Sequence, residues 1–367
     1  MVRVDSARRS TCVTLLAVLT TLLVSSTDRA VAQTQSPGEV TFASIANARH
    51  RTWAEIRQTR SVLHVGGTSS SGGSGSSQPS LSWDSVSESL ILAPDAPDGS
   101  SRFRLDFLGI PGQILDPVEH SLRAATHASQ AGFLHQFGGF QIADPTRAAQ
   151  SYRIVPIDRR VRLSRPTIRV AVVPIRLGRS AWILELDAAT HYPLYSAEVS
   201  AFGSIVGTLE VTSFTLTDPR SVDSVEWWEP SSLLRTYGSV SAAVGSLDGT
   251  PRPILPEPAD LPEGFDFLQA RTVLNDLRAE SSLVLIYGDG IASIFVVETF
   301  GVPAPSLPSP VPGSGTKPYA VFFFHDQSSL QLMFQVGGVQ TIVIGATGEF
   351  GVLSLTERLL ERAVGVR

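Results

Sequence analysis

Hydrophobic and polar positions alternate most regularly between Ala181 and Phe214. In AWILELD, Trp182, Leu184 and Leu186 alternate with Ile183 and Glu185, the period of two that a pleated strand requires. The chain reverses through Asp187 to His191, runs again as YPLYSAEVS, reverses at Gly203 and returns as SIVGTLEVTSFTL. In this last run Ile205, Gly207, Leu209 and Val211 fall on one face, and Val206, Phe214 and Leu216 on the other. Three antiparallel strands are predicted, with apolar side chains on both faces and hence a sheet covered on both sides. No catalytic residue type clusters here, so the stretch reads as scaffold.

The same period recurs on either side. LSWDSVSESLIL alternates Leu81 and Trp83 with Ser82 and Asp84, and RFRLDFLG alternates Phe103, Leu105 and Phe107 with Arg102, Arg104 and Asp106. YRIVPIDRR and PTIRVAVVPI lead into the central hairpins. Upstream, Ile45, Trp53 and Ile56 recur near helical spacing behind Ser44, which predicts a helix from Phe42 to Arg60 running into the strand SVLHV. Residues 117–131 predict a second helix. Residues 68–80, TSSSGGSGSSQPS, carry too little apolar surface to offset their chain entropy and predict a flexible hairpin loop.

Beyond residue 217 the pattern fades into DPRSVDSVEWWEPSS, GSVSAAVGS and TPRPILPEP, a proline-bearing connector in which Trp227 and Trp228 are expected to pack onto a neighbouring domain. Alternation resumes after LPEGFDF. SSLVLIYGDGIASIFVVETF predicts a hairpin turning at Gly288, Asp289 and Gly290, and LQLMFQV and VQTIVIG predict another turning at Gly337 and Gly338. AVFFFH predicts a further strand. An S-x-x-E capping box at Ser354 and Glu357 predicts a final helix with Leu355, Leu359 and Ala363 as its buried stripe.

Three of these stretches resemble the MucB/RseB family. The central hairpins match it at Trp182, Leu184, Leu186, Asp187, Thr190, Pro193, Leu194, Gly203 and Phe214. Leu261, Pro262, Gly264 and Phe265 match its leucine-proline-x-glycine-phenylalanine motif. Tyr287, Asp289, Gly290, Ala292 and Ser293 match its tyrosine-serine-aspartate-glycine-leucine-alanine-serine hairpin, with Gly288 for serine and Ile291 for leucine. Tyr152-Arg153 also match, whereas Ser164-Arg165 stands where the family has glycine-arginine. The resemblance covers roughly residues 150–367. It implies a large domain similar to the lipoprotein carriers LolA and LolB, a smaller second domain, and a role in binding the periplasmic segment of a membrane anti-sigma factor. It also implies that the large domain senses lipid or lipoprotein.

Residues 1–32 read as a secretory signal peptide: Arg3, Arg8 and Arg9, then TCVTLLAVLTTLLV, then Ala30-Val31-Ala32 before Gln33. The apolar run is shorter than the roughly 18 residues a spanning helix needs. Cleavage leaves 335 of 367 residues and removes four arginines and two aspartates, taking the net charge from −5 to −7. It also removes Cys12, the only cysteine, so the exported protein is expected to rest on its cores without disulfides. The acidic balance argues against nucleic acid as a partner. N-terminal sequencing of the periplasmic protein is expected to begin at Gln33; an intact residue 1–32 segment on membrane-bound protein contradicts this.

Enzyme chemistry finds no support. IVIGATGEFG places glycines at 345, 348 and 351 like a dinucleotide loop, but such a loop needs a βαβ unit and an acidic ribose ligand ~20 residues on. Only 16 residues follow Gly351, so a structural turn is expected. His120 and His127 share a helical side near His135 without cysteine or carboxylate at ligand spacing. No G-x-S-x-G elbow occurs.

The expected architecture is α+β: a twisted antiparallel half-barrel sheet wrapped on helices, similar to the lipoprotein carriers, plus a smaller antiparallel α+β C-terminal domain. The expected boundaries are a signal peptide at 1–32, a large domain at 33–217, a linker at 218–252 and a small domain at 253–367. Trp182, Leu184, Leu186, Leu209, Val211, Phe103, Leu105 and Phe107 are the candidate lining of an apolar acyl-chain cavity, the alternative being a closed core. No cofactor or metal is expected. The expected partners are an anti-sigma periplasmic segment, a lipid or lipoprotein acyl chain, and a second copy of the chain. A periplasmic carrier without an anti-sigma partner is the other reading.

Overall fold

The computed structural model describes residues 39–66, 80–95, 102–217, 225–229, 234–247, 252–275, 280–301, 324–326, 329–336, 338–345 and 349–365. The signal peptide, residues 68–79 of the expected loop, and residues 218–224, 230–233 and 248–251 of the connector lie outside them. Val40–Arg367 forms one compact unit holding two antiparallel sheets.

The first sheet contains β1 (Ala54–Gly66), β2 (Ser80–Ala93), β3 (Arg102–Gly109), β4 (Tyr152–Arg162), β5 (Arg165–Pro174), β6 (Ala181–Asp187), β7 (Pro193–Val199) and β8 (Ile205–Leu216). Their order is β3-β2-β1-β8-β7-β6-β5-β4, an open sheet in which β8 returns to pair with β1. Three helices cover its inner face: α1 (Phe42–Arg51), α2 (Pro117–Phe137) and α3 (Pro145–Ser151). Phe42 and Ile45 of α1 and Ala148 of α3 pack on Tyr152, Val170, Val172, Leu184 and Leu186. Ala131 and Leu134 of α2 pack on Ile56, Leu90, Leu92, Phe103, Leu105 and Val211.

Three local expectations are corrected. First, α1 ends at Arg51 with Thr52 extended, and residues 54–60 belong to β1. Ala54 and Ile56 are fully buried two positions apart, so the strand's period of two, satisfied by pairing on both sides, overrides the helical spacing that Trp53 and Ile56 suggested. Second, Phe214 shares the inner face with Val211. Arg57 faces Ser213 while Gln58 faces Val211, so Thr212 is an extra residue and the alternation changes phase there. Third, the outer face is closed by charge as well as by apolar residues. Arg169, Glu185, Tyr195 and Glu210 stand in one cross-strand row. Arg162 bridges Glu185 at 2.6 Å and Glu210 at 2.9 Å beside it.

Helix α2 is six residues longer than expected; Asp116 caps it, accepting from the N–H groups of Val118 and Glu119 with Pro117 in the first turn. The Asp144-Pro145 pair starts α3 in the same way, the capping residue and first-turn proline standing next to each other in the sequence.

The second sheet contains β9 (Leu234–Tyr237), β10 (Asp266–Asn275), β11 (Glu280–Gly288), β12 (Ser293–Phe300), β13 (Phe324–Asp326), β14 (Ser329–Val336) and β15 (Val339–Gly345), in the order β13-β14-β15-β12-β11-β10-β9. Helices α4 (Val240–Gly245) and α5 (Glu349–Ala363) share its core. Strand β9 pairs with β10 although it comes from the stretch expected to be linker. Helix α5 starts at Glu349, so Ser354 lies inside it rather than at its cap; Leu355 and Leu359 are buried as expected.

Glu298 lies fully buried in β12, opposite Thr341. One carboxyl oxygen accepts the Ile254 N–H at 2.7 Å. Burial pushes its pKa up from 4.5 to about 7 against that hydrogen bond. Between those values the native state keeps a proton that the unfolded chain has lost. The contribution to stability is therefore complete below pH 4.5 and is lost as pH rises through 7. Glu298→Gln is expected to stabilise the protein by up to about 3 kcal/mol at pH 8 and to change little near pH 4.5. Urea titrations at the two pH values check this, and equal effects at both contradict it.

Candidate functional site

The β11–β12 turn seats Asp289 between the two sheets. Its Oδ1 accepts the N–H groups of Ile291 and Ala292 at 3.1 and 2.9 Å, which holds the four-residue loop, and Gly290 supplies the one positive φ, 102°. Its Oδ2 accepts from Tyr152 Oη at 3.0 Å and from Arg179 Nη1 at 2.6 Å, and the carboxylate is fully buried. The Arg179 guanidinium lies 5.2 Å from the Phe265 ring and also donates to the Glu263 carbonyl. A Cβ on Gly290 would meet Ala148 N at 2.3 Å, so this turn lies directly against α3, where the Gly290 carbonyl accepts the Ala143 N–H. Burial raises the Asp289 pKa, with Arg179, the two backbone bonds and Tyr152 pulling against it. Burial likewise drives Tyr152 well above its ordinary value, so it stays a neutral donor.

Beside this junction a cavity of about 170 Å³ lies between the inner face of the first sheet and the second sheet. Its floor is two cross-strand rows: Trp182, Glu198, Gly207 and Val62, then Ser196, Leu209 and Arg60. Phe133 and Phe137 of α2 and Phe295 of β12 close it, with Phe137 edge-on to Phe295 at 4.7 Å. It joins elements of both sheets, so an occupant touches both.

Of the eight sequence candidates, Trp182 and Leu209 line this cavity. Leu184 and Leu186 are fully buried in the core under α1 and α3. Phe103, Leu105 and Val211 belong to the core under α2. Phe107 is half-buried against the rings of His120 and His127. Helices cover most of the inner face, and sequence alternation identifies a buried face without showing what buries it.

A charged network under α2 was not legible in the sequence. Glu88, 1 % exposed on β2, accepts from Gln58 Nε2 at 2.8 Å and Arg60 Nη2 at 3.1 Å and meets His127 Nε2 of α2 at 3.0 Å. Burial alone would raise its pKa, but the Arg60 charge and the hydrogen bonds from His127, Arg60 and Gln58 overcome that and hold it at about 2. His135 stacks on Phe103 at 3.8 Å, and burial with the charge of Arg49 keeps it well below its ordinary pKa. Among the described residues, no group of three or more metal-ligating side chains occurs. No helix among them is long and apolar enough to cross a membrane.

No protein-family model matches the chain, and no curated protein matches it. Solved structures do. The chain is similar to MucB, with a TM-score of 0.48 and 16 % identity over 85 % of this chain and 94 % of that one. It is similar to MucB in complex with MucA(peri), with a TM-score of 0.47, 15 % identity and the same coverage. The LolA superfamily protein NE2245 from Nitrosomonas europaea aligns with 51 % of this chain and 99 % of its own, at a TM-score of 0.18 and 10 % identity.

Proposed function

We propose that this chain is an exported, non-enzymatic regulator similar in role to the MucB/RseB proteins, binding the periplasmic segment of a membrane anti-sigma factor and responding to an acyl chain. One observation carries this reading. Matching residues from three separate stretches, Tyr152, Gly264-Phe265 and Asp289, Gly290 and Ala292, meet at a buried junction around Asp289 and Arg179. Residues that match the family by type also work together here, holding the two sheets in one arrangement beside a cavity that both sheets line. A ligand that prefers another arrangement must loosen any partner bound to this one, because the coupling is reciprocal.

The cavity volume limits the sensing half. At about 170 Å³ it lies below the ~300–1,000 Å³ of typical ligand sites. A long chain, gaining ~0.8 kcal/mol per buried methylene, enters only if Phe133, Phe137 and Phe295 part. Acyl binding is therefore expected to be slow and to change the separation of α2 from β12.

The test combines pull-down of a candidate anti-sigma periplasmic segment with titration by a fluorescent fatty acid. Both are expected to bind, with the fatty acid lowering partner affinity. Partner binding without any lipid response removes the sensor half, lipid binding without partner favours the carrier reading, and binding of neither refutes the proposal. Leu184→Asp, fully buried under α1, is expected to unfold the large sheet rather than report on the cavity. Leu209→Trp fills the cavity from its floor and is the informative variant, expected to abolish the effect of the fatty acid on partner affinity while the fold persists.

A further inference from the structure

Among the described residues, every arginine that is not exposed forms an ion pair with a carboxylate, except three: Arg49, Arg102 and Arg271. All three line one second cavity, of about 420 Å³, bounded by α1, the end of β2, the end of α2 and strands β10 and β11. The two carboxylates on its wall are engaged elsewhere. Asp95 holds His50 at 2.7 Å, and Asp144 caps α3 and pairs with Arg147 at 3.3 Å. Among the described residues, the three arginines reach neutral groups only. Arg49 Nη2 lies 3.4 Å from His135 Nδ1, Arg271 Nη2 donates to Gln136 Oε1 at 2.6 Å, and the Arg102 guanidinium lies 4.9 Å from the Trp227 ring.

The guanidinium groups of Arg49 and Arg271 lose hydration here without a carboxylate beside them among the described residues. Burial accordingly lowers the pKa of Arg49 and of Arg271. An anion would pair with all three arginines at once, through charge-assisted hydrogen bonds about twice as strong as neutral ones. The remaining wall is apolar, including Leu92, Phe140 and Ile286, and an inorganic ion would leave it wet. The volume falls within the ~300–1,000 Å³ of small-molecule sites. We propose that this cavity binds an amphipathic organic carboxylate, its head group held by Arg49, Arg102 and Arg271 and its apolar body laid on Leu92, Phe140 and Ile286. The site is distinct from the acyl cavity, from which residues 136–143 separate it, and it does not depend on the regulator reading.

Calorimetric titration of the whole chain with decanoate, decanol and inorganic phosphate tests it. Decanoate is expected to bind at least about tenfold more tightly than decanol, with an affinity that falls as salt rises. Arg49→Gln and Arg271→Gln are each expected to weaken decanoate about tenfold and to leave decanol unchanged. Leu209→Trp, which fills only the first cavity, is expected to leave decanoate binding intact. Equal affinity for decanoate and decanol overturns the proposal, as does unchanged binding in folded arginine variants. Phosphate binding as tightly as decanoate overturns the amphipathic part, and loss of decanoate in Leu209→Trp assigns the ligand to the other cavity. Should either arginine variant fail to fold, the salt dependence and the decanol comparison on the unaltered chain still decide.

Discussion

Glu88→Ala is expected to destabilise the protein by about 3–5 kcal/mol, the cost of breaking a buried ion pair from one side. Glu88 is the common acceptor for Gln58, Arg60 and His127, and its loss leaves the Arg60 side chain, 12 % exposed, without a carboxylate. His127 of α2 meets Glu88 of β2 beside the packing of Ala131 and Leu134 on Leu90 and Leu92, so the helix is expected to loosen before the sheet does. The pH profile separates this from a simple packing defect. The native pKa of Glu88 is about 2 against an ordinary 4.5. Its contribution, about 3 kcal/mol, is therefore complete above pH 4.5 and is lost as pH falls from there through 2. Urea titrations from pH 7 to pH 3 are expected to show that slope in the unaltered chain and its loss in the variant. A cost below about 1 kcal/mol at pH 7 contradicts the assignment.

Asp289→Ala is expected to cost a similar amount, about 3–5 kcal/mol, and to act on how the sheets are joined rather than on either core. The side chain caps its own turn through Ile291 and Ala292 and accepts from Arg179 and Tyr152 across the junction. Most of the cost arises from leaving Arg179 charged and buried. Adding Arg179→Met is therefore expected to recover a large part of it, although the ring contact with Phe265 is lost as well. A double-mutant cycle by urea denaturation measures the coupling. Additive effects of the two substitutions would show that Asp289 acts through the turn alone. A further expected consequence is a separation of the two sheets, read as a larger radius of gyration by X-ray scattering.

The residue pattern by itself determined the strands. The period of two at Trp182, Leu184 and Leu186, the reversal at Gly203, and the turn at Asp289-Gly290 all follow from local rules of pleat and turn, and all occur. The antiparallel α+β class follows as well, since short runs joined by tight turns have few other ways to pair. Local signals failed where pairing competes with them. Residues 54–60 became strand because β2 and β8 satisfy their backbone on both sides, and Thr212 shifted the phase of β8, which no single-strand pattern reveals.

The sites were decided by tertiary structure. Alternation says that Leu184 and Leu209 are both turned inward, but only the covering elements make the first a core residue and the second a cavity wall. Arg179 meets Asp289 across a separation of 110 positions, and Arg49, Arg102 and Arg271 come from three remote stretches. Charge pairing depends on distance in space, and a chain sequence carries that distance only where the partners are neighbours on one element.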